Sequence, residues 1–300
     1  MPDPASTPDL DLRLVRYFTA VAEHRHFGRA AEALRITQPS LSRQIRRLEQ
    51  QVGARLLDRT PQGSRLTEAG EVFRVRAEAL LRSAAQAVTR ARAAADPSRI
   101  SVGYSTGVIV TPAVRELRRR RPDAEVHTQF VGCDAVHTAL LDHQVDAVVA
   151  RSPFPADRLR VSVLYDEPRV LLVPLDHRLA GRESVTLADI ADEPLPRLRQ
   201  ADPAWNAYWR LDPRPDGRPA PDGPTIDALE DKFELIAAGE AVAVAAGLRA
   251  ATMRPDVTGI PLHGVEPSHV LLATRAGDRS HLVTAFREAA RARLTGSVPT

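Results

Sequence analysis

Residues Phe27 to Gly53 read FGRAAEALRITQPSLSRQIRRLEQQVG. Ala30, Ala31 and Leu34 recur at helical spacing and put small residues on the inner face of a short helix. Arg35-Ile36-Thr37 leaves room only for a tight turn. Thr37 can cap the next helix, and Pro39 falls in its first turn, where a missing N–H is tolerated. Leu41, Ile45, Leu48 and Val52 then follow at i, i+4, i+7 and i+11 and face inward. Gln38, Ser42, Arg43, Arg46 and Arg47 take the opposite face. Two short helices joined by a tight turn, the second polar and basic outside, describe a helix-turn-helix.

Upstream, Leu12, Val15, Phe18 and Ala22 predict an amphipathic helix from about Leu10 to His24. Downstream, LLDRTPQGSRLT reads as two short strands around Pro61-Gln62-Gly63, a wing whose Arg59 and Arg65 can reach a phosphate backbone or minor groove. A long helix is expected from about Thr67 to Ala95, with Thr67 as its N-cap. Gly70 stands where a capping box calls for Glu. Phe73, Ala77, Leu80, Ala84, Ala87 and Ala91 step by four and three along this helix, a heptad-like seam. The seam predicts a dimerisation helix; the alternative is a stripe packed on its own domain.

Charge agrees with this reading. Residues 1–98 hold sixteen Arg against eleven acidic residues, a net +5, and the other 202 are at −2. Between Arg25 and Arg65 nine Arg face only Glu32, Glu49 and Asp58. Such clustering is the electrostatic footprint of a polyanion. The chain has 300 residues, 43% of them hydrophobic and 26% charged, which excludes a disordered, fibrous or disulfide-built molecule and suggests two domains. Cys133 is the single cysteine, so no intrachain disulfide forms and a reducing compartment is expected. The longest uncharged stretch, Ile100 to Val114, is shorter than the roughly 18–20 apolar residues a bilayer span needs. MPDPASTPDLDL lacks the features of a secretory leader. A cytoplasmic protein without a membrane partner is expected.

Asp96-Pro97-Ser98 marks a domain boundary, giving expected domains at 1–66, 67–97 and 98–300. Beyond it RISVGY, AEVHTQFV and VDAVVA read as strands, with helices at TPAVRELRRRRP and DAVHTALLDH between them: the βαβ rhythm of a parallel sheet. A second set runs PRVLLVP, TLADIAD, PAWNAYWRL, TIDALEDKFELIAAG, AVAVAA and VTGIPL. HVLLAT and a terminal helix, HLVTAFREAARARL, close the chain. DPRPDGRPAPDGP, with five prolines from Pro213 to Pro224, reads as an exposed polar loop.

Arg16 to Gly70, RYFTAVAEHRHFGRAAEALRITQPSLSRQIRRLEQQVGARLLDRTPQGSRLTEAG, resembles the winged helix-turn-helix of the LysR-type transcriptional regulators nearly end to end. The last 200 residues resemble that family's effector-binding half more loosely, with EDKFELIAAGEAVAVAA similar to a helix and strand late in its second subdomain. The resemblance implies an α/β chain: a winged helix-turn-helix, a linker helix, and a two-subdomain, type 2 periplasmic-binding-protein-like effector domain with a cleft. It also implies a ligand-responsive regulator, assembled as a dimer of dimers on a double-stranded DNA operator, with RNA polymerase as a further partner and no cofactor.

The family's base-reading positions match Gln38, Pro39, Ser42 and Arg43, and their chemistry suits adenine, a thymine methyl and guanine. Ser40 and Arg46 serve phosphate, as does Arg59 from the wing, with Thr37 at the helix start. The cleft is expected at the carboxyl ends of strands. That places Ser105 and Thr106 after the first strand, Val131 and Gly132 after the second, Phe154 beyond the third, and Arg199 and Gln200 after LPRL. Hydroxyls, the nearby Thr111-Pro112 helix start and Arg199 favour a small carboxylate.

Four other patterns compete. Gly103 to Gly107 fits G-x-S-x-G, which leaves a DNA-binding protein with a hydrolase-like C-terminal domain as the second reading. No HGGG-like stretch precedes it, and it follows the domain's first strand. His127, Cys133, Asp134, His137 and His143 are close in sequence, but their spacing matches no zinc pattern, and no metal is expected. Trp205, Tyr208 and Trp209 read as packing in preference to a cleft wall, and Arg118 to Arg121 as a solvated helix end.

Overall fold

The computed structural model describes residues 10–60, 63–95, 98–247 and 254–296. They form two units, Met1–Arg92 and Ala93–Thr300.

The first unit runs α1 (Leu12–His24), α2 (Phe27–Ala33), α3 (Gln38–Val52), β1 (Leu57–Thr60), β2 (Gly63–Leu66) and α4 (Glu68–Ala95). Local chemistry starts each helix. The Asp11 carboxylate accepts from Arg13 N–H at 2.8 Å. His26 Nδ1 accepts from Gly28 and Arg29 N–H at 3.1 and 3.4 Å, a cap the sequence reading missed. Thr37 stands at the N-cap of α3, but its side chain makes no capping bond. The turn before it begins at Arg35, in the left-handed region at φ 55°. Leu14, Val15, Phe18, Val21, Leu41, Ile45, Leu48 and Leu56 are at most 2% exposed and form the core. Each such burial contributes about 1.5–3 kcal/mol.

The wing is an antiparallel pair, Leu57 opposite Leu66 and Thr60 opposite Gly63; Pro61 and Gln62 lie outside the described residues. Glu49, near the end of α3, anchors its base by accepting from Leu56 and Leu57 N–H at 2.8 and 3.2 Å. Thr67 caps α4 by accepting from Gly70 N–H at 3.0 Å. A Cβ on Gly70 would lie 2.0 Å from the Leu56 carbonyl oxygen, so the capping-box position is closed to Glu.

At 28 residues α4 is about 42 Å long. Its stripe divides. Phe73 meets Phe18 edge-on at 5.2 Å, and Ala77 is 1% exposed, so this part packs on its own domain. Leu80 and Val88 are exposed, as are Ala87 and Ala91, with Ala84 half-buried. The seam is therefore not one dimer contact throughout.

The second unit carries β3 (Arg99–Tyr104), α5 (Thr111–Arg120), β4 (Glu125–Phe130), α6 (Val136–Leu141), β5 (Ala147–Arg151) and β6 (Leu159–Glu167). Then come β7 (Arg169–Pro174), β8 (Leu195–Leu198), α7 (Pro203–Arg210), β9 (Asp222–Ile226), α8 (Asp231–Ala237), β10 (Ala243–Ala246), β11 (Val257–Pro261), β12 (Ser268–Arg275) and α9 (His281–Arg293). One sheet has the order β4-β3-β5-β12-β6. It is mixed, not purely parallel: β3 runs with β4 and β5, while β12 runs against β5 and β6. The strand β6 was not read from the sequence, and TLADIAD forms turns. A second, antiparallel sheet has the order β10-β7-β11, and β8 pairs with β9.

The chain passes between the sheets at Pro168 and returns between β11 and β12. Arg169 holds both crossings. Its Nε–H donates to the Glu266 carbonyl at 3.0 Å and Nη1 to that of Tyr208 at 2.9 Å, with the guanidinium 3.9 Å above the Tyr208 ring. Glu116 plays a similar part between helices, binding Arg119 and Arg120 of α5 and Arg293 of α9, which hold its carboxyl down at about 2. All four arginines of the run are exposed, as expected of a solvated helix end, while Arg119 and Arg120 also pair with Glu116.

The proline-rich segment is a loop exposed from Pro215 to Pro219, as expected, but it is held at its ends. Arg210, 2% exposed, donates to the carbonyls of Leu195 and Ala220 and to Asp212 and Asp222. These bonds fold the segment onto the second sheet's side, burying Arg214 and Ala220, and it runs into β9.

Candidate functional site: a basic helix face and an apolar cavity

On α3, 100° per residue puts Pro39, Arg43, Arg46, Arg47 and Gln50 opposite the Leu41–Ile45–Leu48 stripe. Gln38, Pro39, Arg43, Arg46 and Arg47 are exposed, and Ser40 is half-exposed. Ser42 is not on that face: at 6% exposed it lies at the edge of the inner stripe. Arg43 and Arg47 have no carboxylate within ion-pair distance among the described residues, so the face keeps its positive charge. Arg59 lies in β1 opposite Ser64.

In the second unit a cavity of about 550 Å³ opens between the two sheets. From the first side it takes Ser105 to Ile109 after β3, Cys133, the β5 end at Ala150 and Arg151, and the β6 end at Asp166 and Glu167. From the second it takes Leu195, Leu198, Trp205, Trp209, Ile226, Leu229, Lys232, Phe233 and β10. The size and the mostly apolar lining suit a small molecule. Arg151 organises the polar end. Its Nε–H reaches Glu167 at 2.6 Å, and Nη1 donates to the Thr106 carbonyl at 2.6 Å, pinning the 105–107 loop.

Of the residues expected at the cleft, Ser105 and Thr106 line this cavity and the others do not. Val131 is 4% exposed in the core beside α6, with Phe154 packed on the same cluster. Gly132 sits in a tight turn against Asp134. Arg199 points to solvent and pairs with Asp227 at 2.7 Å, and Gln200 is exposed beside it. The missed residues are Arg151, Glu167 and Lys232. Lys232 did carry a signal, as the one lysine in an arginine-rich chain. Trp205 and Trp209 wall the cavity, and Trp209 also packs on the core.

The competing patterns disperse. Ser105 is 7% exposed and no histidine lines the cavity among the described residues, so nothing activates it as a nucleophile. His127 pairs with Glu125, and His137 with Asp157. No group of three or more His, Cys, Asp or Glu could hold a metal among the described residues. Burial and Asp134 push the Cys133 thiol up to about 11, which keeps it protonated and unreactive at neutral pH. No helix among the described residues is long and apolar enough to cross a membrane.

Two family models match the chain. Residues 12–71 match the bacterial regulatory helix-turn-helix protein of the lysR family, and residues 91–295 match the LysR substrate binding domain. The chain belongs to the LysR family. AlsR of Bacillus subtilis, an HTH-type transcriptional regulator, is 34% identical over 65% of this chain; the matched stretch spans 66% of AlsR, just under two thirds. The small neutral protease regulatory protein of Streptomyces coelicolor is 31% identical over 93% of this LysR-family chain and 85% of its own. Among solved structures CbnR, a LysR family transcriptional regulator, superposes with a TM-score of 0.65 at 23% identity, covering 94% of this chain and 99% of its own. The hydrolase reading finds no support among these relatives.

Proposed function

We propose that the chain is a ligand-responsive transcriptional regulator and not an enzyme. It binds a dyad operator through α3 as a homo-oligomer and senses a small metabolite in the cavity of its second unit. The observation that carries the reading is the pairing in one chain of an exposed, uncompensated basic face on a helix-turn-helix with a separate apolar cavity. Its relative CbnR is known in complex with its target DNA. The division of labour follows residues 1–66 for DNA, 67–97 for linkage and 98–300 for effector.

Within α3, Gln38, Pro39 and Arg43 read base edges, while Arg46 and the half-exposed Ser40 serve phosphate, with Thr37 at the helix start. Ser42 supports the helix from its inner edge. Arg59 contributes phosphate affinity from the wing. The open part of the α4 stripe, from the half-buried Ala84 to the exposed Ala91, joins two chains, and pairing of such dimers gives the tetramer. RNA polymerase is the downstream partner, and the cytoplasm the compartment.

The test is enrichment of random duplex DNA by the purified protein, followed by titration of the enriched site. The expected product is a dyad. Arg43→Ala weakens binding by about 1–3 kcal/mol and relaxes preference at one base position in each arm. Unchanged affinity and preference would remove α3 from the major groove.

A further inference from the structure

Lys232 lies on α8 in the cavity wall, half-buried. Two other cations of that wall are matched. Arg151 has Glu167 at 2.6 Å, and Arg210 has Asp212 and Asp222 at 3.0 and 2.8 Å. No carboxylate stands within ion-pair distance of Lys232 among the described residues; the contact of its Nζ is the Phe233 ring, with 5.1 Å to the centroid. The charged and titratable groups that face it are Arg151 from β5, which repels it, Glu230 just before α8, which attracts it, and the Cys133 thiol. Asp166 and Glu167 also belong to the wall, but Glu167 is taken by Arg151 and Asp166 pairs with His269. The surroundings are otherwise apolar, with Leu229 and Phe233 beside it and the two tryptophans in the same cavity.

We propose that Lys232 is the anion anchor of this cavity, pairing with the single carboxylate of a ligand whose remainder is apolar. The inference rests on the cavity being the effector site. A neutral ligand would bury the ammonium without compensation, which is expensive. A second carboxylate would find no unmatched cation, because Arg151 and Arg210 are already paired. The hydroxyls of Ser105 and Thr106 supply donors elsewhere in the cavity, and 550 Å³ leaves room for a ring or a branched chain.

Occupancy then changes the lysine. Burial, with Arg151, holds its ammonium down at about 8 in the free protein. A carboxylate alongside favours the charged form and raises that value. Binding near pH 8 therefore takes up a fraction of a proton. Affinity is highest below pH 8 and falls up to tenfold per pH unit above it, until the bound-state value is passed.

A single lysine makes the test direct. Reductive methylation with ¹³C-formaldehyde labels Lys232 and the chain's α-amino group, and NMR follows the lysine's titration with and without phenylacetate or hexanoate. Binding is read from Trp205 and Trp209 fluorescence on unlabelled protein, with phenylacetamide and hexanamide as uncharged counterparts. The expected result is an ammonium that titrates near 8 and moves upward by at least one pH unit with an acid bound. The acids bind at least tenfold more tightly than the amides. Lys232→Met erases that preference, and Lys232→Arg keeps it without the proton uptake. Acids and amides binding alike, Lys232→Met binding acids as the parent does, or no saturable binding of either acid up to about 10 mM would each overturn the anchor. An acid that binds through Lys232 yet leaves operator affinity untouched would instead overturn the effector reading and spare the anchor.

Discussion

A single missing side chain at Gly70 lets the wing's base and the long helix meet. The Leu56 carbonyl approaches so closely that a Cβ would sit 2.0 Å away, while Thr67 Oγ1 donates to the Arg55 carbonyl and caps Gly70 N–H. Gly70→Ala therefore destabilises the first unit by at least about 2 kcal/mol, measured by urea unfolding of the full chain; an unchanged midpoint would mean the backbone yields there at no cost. The sequence showed the anomaly, a glycine where a cap wants Glu, but not its cause, which lies fourteen residues away. The same limit governs the site residues. Arg43 was legible because helical period alone puts it opposite Leu41 and Ile45. Ser42 was misread because it falls at the stripe's margin, where neighbours decide burial. Arg199 looked like an anchor until Asp227, 28 residues on, claimed it.

Among the elements, α4 divides its stripe between two jobs, and the sequence, with one unbroken period, could not say where the change falls. Phe73 and Ala77 belong to the core, whereas beyond Leu81 the stripe opens, with Ala84 half-buried and Ala87 and Ala91 exposed. Ala84→Arg should break the dimer and abolish operator binding while leaving the unit folded. Sedimentation is the check, and a mutant of parental mass would remove this stretch from the dimer contact. Elsewhere β3, β5 and β7 were legible as apolar runs. The strand β6 was not: it is an edge strand with a shift of register near its middle, and its exposure alternates too weakly to give a period of two. The proline-rich segment is the loop its sequence suggests, and what the sequence did not show is that Arg210, one side chain outside it, anchors its far end.

For the molecule as a whole, the two-part organisation was plain from charge and from the change of hydrophobic period near residue 98, while the cavity's lining was not. Its residues come from strand ends and helices more than a hundred positions apart, brought together by two crossings that Arg169 ties. On the proposed function, occupancy of this cavity alters what the basic helix face does on DNA. The most direct measurement is operator affinity during titration of a cavity ligand, with Trp205 and Trp209 fluorescence reporting occupancy, in the parent and in Thr106→Val. In the parent, operator affinity or footprint length should change in step with occupancy. In Thr106→Val the same change should need several-fold more ligand, with operator affinity in its absence unaltered. A cavity that fills to saturation while operator binding stays constant would mean that the two units act independently.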